Sequence, residues 1–194
     1  MTDPGYPYAD PDLHREPCAY MYTPYQGPDF LRAWRESREG LLRACGTGTG
    51  PLAGALEGRG AVPPCPAPVR TRDLLLDLLA APGTPRGEAW LEALLRRFEL
   101  TKRLGPAYDG ALKPIQDADA PAGDLEALLA LALMRAFASH GDLRWLNAAL
   151  KVVDLAAARG LERMTPAGRE ALARAVLLER AAVQALGPEP EEGP

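Results

Sequence analysis

The chain has 194 residues, and its 22 Lys and Arg against 26 Asp and Glu give a formal net charge of -4 at pH 7. Phosphate-binding surfaces need clustered basic residues that no nearby acids neutralise; here arginine alternates with glutamate, which excludes a nucleic-acid surface. The most apolar window, Ala127 to Met134, is far short of the roughly 20 residues that cross a bilayer, so no membrane span is expected.

Glycine (19) and proline (20) are abundant and lie mostly away from the helical patterns. From Thr71 to Leu186 there is enough Leu, Val, Phe and Trp to build one core without a metal or a disulfide. The three cysteines, Cys18, Cys45 and Cys65, form no CxxC pair and read as reduced thiols. The first residues carry an acid and prolines where a secretory signal has a basic region and an apolar run, which points to the cytoplasm. Heavy use of Ala, Gly, Pro and Arg resembles the codon bias of a GC-rich bacterial genome.

Residues 1–70 read as a Pro/Gly/Tyr-rich arm with one helix and a linker. Tyr6, Tyr8, Tyr20, Tyr22 and Tyr25 stand among prolines that forbid a helix, so residues 1 to 28 form an extended arm whose rings lie on a surface, its own or a partner's. Pro28-Asp29 opens a helix over 29–45, narrowly amphipathic through Phe30, Leu31, Trp34, Leu41 and Leu42. The Gly/Pro stretch from Gly46 to Val69 is a linker with at most a helical turn around Leu52 to Leu56.

Residues 71–186 then read as an all-helical domain of about five helices. Thr71 is placed to cap a helix ending at Pro82, with Leu74, Leu75, Leu78 and Leu79 as its stripe. Thr84-Pro85 opens the next, buried through Leu91, Leu94, Leu95 and Phe98, with Glu92 to Arg96 and Glu99 to Arg103 as pairs one turn apart. Between Ala107 and Gly123 the pattern allows a helical turn and otherwise a long loop.

Asp124 is placed to cap the most apolar helix, which runs through Leu125, Leu128, Leu129, Leu131, Leu133, Met134 and Phe137 and must be surrounded by others. His140-Gly141 ends it. Asp142 caps a helix buried through Trp145, Leu146, Ala149, Leu150 and Val153 and closed near Gly160. Thr165-Pro166 opens the last helix, and residues 187–194 have the composition of a disordered acidic tail.

Chemical signatures are sparse. Gly46-Thr-Gly-Thr-Gly-Pro follows a helix and lacks the Lys-Ser/Thr of a phosphate loop, so it reads as a linker. His14, Cys18, Cys45 and Cys65 lack the paired spacing of a zinc site, and neither a metal nor a cofactor is expected. His140 sits where a helix end needs a donor for its carbonyls. The best candidate site is the polar side of the helix after Asp142, where Arg144, Asn147, Lys151 and Asp154 follow one another at spacings of three and four. Tyr108 and Asp109 of the long loop are its candidate wall, and Tyr20, Tyr22 and Tyr25 are candidate contacts from the arm. The ordinary alternative is a solvated stripe with surface ion pairing.

Two functions fit this pattern. One is a non-catalytic interaction or accessory protein that binds a protein or peptide through the arm and a helical groove. The other is a small enzyme, or enzyme subunit, that holds a small molecule between helices, facing Asn147, Lys151 and Asp154.

Overall fold

Apolar residues around most of the circumference of one helix require neighbours on most sides, and the architecture follows from that demand. The structure is a computed structural model that describes residues 28–46, 50–115 and 123–186, with the side chains of 28–31 excepted. The Tyr-rich arm, His14, Cys18 and the acidic tail lie outside the described residues. The fold is all-α, as the periodicity predicts. Its helices are α1 (Pro28–Cys45), α2 (Leu52–Leu56), α3 (Thr71–Ala80), α4 (Pro85–Thr101), α5 (Asp124–His140), α6 (Leu143–Ala158) and α7 (Pro166–Leu186).

Helix α5 is the centre: it is buried from Asp124 through Met134 and packs against α3, α6 and α7. Gly141, at φ 69°, closes it with its N–H on Phe137 O, and Asp142 caps α6 by accepting from Arg144 N. The helices α5 and α6 therefore fold back as a hairpin, sealed by Leu129, Leu133, Leu146 and Val153, each fully or almost fully buried. Thr84 caps α4 as its sequence predicts, accepting from Gly87 N.

Two predicted caps hold something else. Asp124 lies inside α5, whose N-cap is Gly123; its carboxylate accepts from Thr165 N at 2.9 Å and from the Thr165 hydroxyl, fixing the start of α7. Thr71 is buried, and its hydroxyl donates to Gly105 O instead of capping α3.

The first part of the expected loop from Ala107 to Gly123 supplies two strands of a small antiparallel sheet, β1 (Val69–Arg70), β2 (Ala107–Tyr108) and β3 (Pro114–Ile115) in that order, with Tyr108 opposite Val69 and Pro114; residues 116–122 of that loop lie outside the described residues. Asp109 makes its turn, Oδ1 accepting from Ala111 N at 2.8 Å and Lys113 N at 2.9 Å. The turn is anchored to α4 by Arg97 Nε, which donates to Leu112 O.

The helix α1 lies along α7 in the opposite direction, since Arg38 meets Glu179 whereas Leu52, just beyond α1, meets Glu170. Leu52 and Val62, in the predicted linker, are buried in the core.

Candidate functional site

The predicted polar stripe on α6 is divided by its neighbours. Arg144 is exposed, lies over the Trp145 ring and pairs with Asp142 at 2.8 Å and with Glu92 of α4 at 3.5 Å. Glu92 thus faces Arg144, where the sequence suggested Arg96. Lys151 is exposed. Asp154 is 64% exposed, yet it accepts from Arg38 Nη1 of α1 at 2.6 Å. Asn147 stands between these exposed residues in the helical order but is only 6% exposed, and neither its Nδ2 nor its Oδ1 has a hydrogen-bond partner.

Tyr108 and Asp109, the expected wall of this stripe, are each engaged in the small sheet and its turn. The Tyr108 ring is buried and its hydroxyl accepts from Gly105 N at 2.9 Å; burial pushes that phenol up. Asp109 is used in its own turn, whose backbone N–H donors from Lys113 and Ala111 hold its carboxyl below the ordinary value. Tyr20, Tyr22 and Tyr25 lie outside the described residues.

The other ionisable groups in the interior are bound to structure as well. Glu179 of α7 is fully buried and receives Arg38 Nε at 2.7 Å and Trp34 Nε1 at 2.8 Å. Burial pushes its carboxyl up, and Arg38 and Trp34 pull it back. Glu126 at the start of α5 pairs with Arg159 at 3.3 Å, and Arg159 also donates to Lys102 O. His140 turns its Nε2 to Glu88 of α4 at 2.9 Å, so its contact is with a side chain of another helix. Cys45 and Cys65 are free thiols, and burial pushes both up, away from the thiolate a nucleophile needs. Among the described residues no group of three or more His, Cys, Asp or Glu is arranged to hold a metal ion, and no helix is long and apolar enough to cross a membrane.

Among the described residues, two concavities are wide enough to be weighed as ligand sites. One, of about 690 Å³, is walled by Gly60 to Pro64 and by Thr84 to Arg86, largely with proline and backbone. The other, of about 230 Å³, lies where α2, α3, α5 and α7 meet. Its floor is Leu52, Leu79 and Leu131, each at most 5% exposed; Leu56 and Leu178 form half-buried walls, and Arg135, Arg174 and Leu177 stand at the rim. Leu177 is 48% exposed.

The groove's charges are unequal. Glu170, almost completely buried, accepts from Leu52 N at 2.9 Å through Oε2, and its Oε1 lies 2.6 Å from the Arg174 guanidinium. That second approach is Coulombic, its angle falling outside hydrogen-bond geometry. Arg135 pairs with no carboxylate among the described residues. Sequence periodicity missed this site because four helices each contribute residues that read as ordinary core. The one available signal was Arg135 itself, the only charge between Ala127 and Ser139.

No family model, no curated protein and no solved structure matches this chain.

Proposed function

We propose that the chain is a non-catalytic helical interaction protein that docks a segment of a protein partner into the leucine groove between α2, α3, α5 and α7. The observation that carries the reading is the pairing of a leucine floor with Arg135, a cation that has no acidic partner among the described residues. Grooves of this kind take an apolar helix face, with side chains one turn apart as anchors and charge at the edge setting orientation. The buried carboxylates Asp124, Glu126, Glu170 and Glu179 all bind structural partners, which favours binding over catalysis. The free thiols Cys45 and Cys65 fit a reducing compartment such as the cytoplasm.

A blocked, Ala/Gln-based helical peptide with two leucines one turn apart is a suitable probe in NMR titrations. The expected result is that amide shifts map to Leu52, Leu56, Leu131 and Leu177–Leu178 and are lost in Leu177→Glu, a change at a half-exposed position. Shifts confined to the α6 polar stripe, or a peptide bound equally well by Leu177→Glu, would refute the reading.

A further inference from the structure

We infer that the segment received by this groove carries one carboxylate beside two leucine-sized side chains, and that Arg135 is the receptor for that carboxylate. The inference rests on the groove reading above and adds its charge and size.

The size follows from the space. The groove of about 230 Å³ is floored by three leucines and is open along its length, so it has room for more than one aliphatic side chain. Two leucine side chains match that apolar lining. Placed one turn apart on a helix, they lie on one face and enter together.

The charge follows from what the other groups already hold. Arg174 is neutralised by Glu170, and Glu170 is fixed by Leu52 N, so these two present no net charge to a ligand. Of the described residues that line the groove, Arg135 alone remains, exposed at the rim above Leu131, one turn earlier on α5. One carboxylate matches it. A second would meet no further unpaired cation among the described residues that line the groove. The chain's own Glu189-Pro-Glu-Glu brings three acids and no leucine, so it fits neither the charge nor the cavity.

The test uses the full-length protein and three blocked Ala/Gln-based helical peptides, each with two leucines one turn apart. A further turn on, they carry Glu, Gln or Lys. The Glu peptide should bind the wild type about two- to fivefold more tightly than the Gln peptide, the range of a partly exposed ion pair. That preference should vanish in Arg135→Ala and turn to the Lys peptide in Arg135→Glu. Both substitutions fall on an exposed side chain with no bond to lose, and unchanged melting temperatures verify that the fold is intact.

Equal binding of the Glu and Gln peptides, with shifts still in the groove, would overturn the carboxylate inference and leave the groove reading standing. If none of the three peptides moves a groove resonance, the groove reading itself falls. Tighter binding by a peptide copying residues 187–194 would overturn the single-carboxylate rule. Decanoate binding the groove more tightly than the Glu peptide would transfer the site from a protein partner to a lipid.

Discussion

The Arg38 guanidinium, on α1, lies 2.7 Å from the Glu179 carboxylate on α7, and the two side chains are 3% and 0% exposed. They join segments 141 residues apart and close the seam along which α1 lies on α7. In a buried pair, the attraction roughly offsets the cost of desolvation, whereas losing one partner strands the other. Arg38→Ala should therefore lower stability by about 3–5 kcal/mol, and the double variant Arg38→Met/Glu179→Leu should recover most of it. Urea denaturation measures both; a single variant costing less than about 1 kcal/mol would mean that α1 contributes little to the fold.

The same carboxyl sets a pH dependence. Burial raises Glu179 above its ordinary value of 4.5, against the pull of Arg38 and Trp34, so the folded chain holds this proton more tightly than the unfolded one. The stability it contributes is then fully present below 4.5 and is lost as pH rises through the folded value. Asp142 has the opposite sign. Burial resists its ionisation, but the Arg144 backbone N–H and guanidinium outweigh this and lower it from 3.8, so its contribution is lost as pH falls. The stability of the wild type relative to Glu179→Gln should decline as pH rises from the ordinary carboxylate range toward the folded value. Denaturation midpoints that run parallel for the two proteins over that interval would remove Glu179 as the cause.

Asp124 makes a different kind of link, from the first turn of α5 to the N-terminus of α7. Its two oxygens take the Thr165 backbone N–H and hydroxyl, and the Thr165 hydroxyl oxygen accepts from Gly168 N at 3.2 Å. The site is crowded: a Cβ on Gly168 would lie 2.1 Å from Asp124 Oδ1. Removing the carboxylate leaves a half-buried N–H and a hydroxyl without partners, at about 1–3 kcal/mol. Asp124→Ala should lose that much in thermal or urea unfolding, and Asp124→Asn, which can still accept from the N–H and donate to the hydroxyl, should lose less. Equal losses would show that the bonds matter less than the packing around them.

How far these features can be read from the sequence depends on whether their cause is local. Thr84 with Pro85, and Asp142 after His140-Gly141, carry their partners within a few residues, so both helix starts are legible. Asp124 and Thr71 have the same appearance but bond to Thr165 and Gly105, 41 and 34 residues away. The two-residue strands are too short to show a period of two, and their pairing across Val69, Tyr108 and Pro114 is a tertiary fact. Spacing puts Arg144, Asn147, Lys151 and Asp154 in one row along α6. It gives no sign that Arg38 would reach Asp154 or that Asn147 alone would be buried.

Asn147 is where the sequence pattern and the packing conflict most, and it makes a sharp test. A buried amide ordinarily finds partners, because leaving its donors and acceptors unpaired costs about 1–3 kcal/mol. Here both polar atoms are inaccessible and unbonded, on a helix whose other buried side chains are apolar except for this one. Leucine has the same branching at Cγ and no polar atom, so Asn147→Leu should raise stability by about 1 kcal/mol once its extra bulk is accommodated. Asn147→Asp should do the reverse and lose several kcal/mol at neutral pH, because a carboxylate there would be buried without a cation or a donor. Urea unfolding of the two variants beside the wild type decides the matter. A leucine variant less stable than the wild type would show that the amide makes a bond worth more than its desolvation, and the polar side of α6 would then be a built feature of the protein instead of a packing compromise.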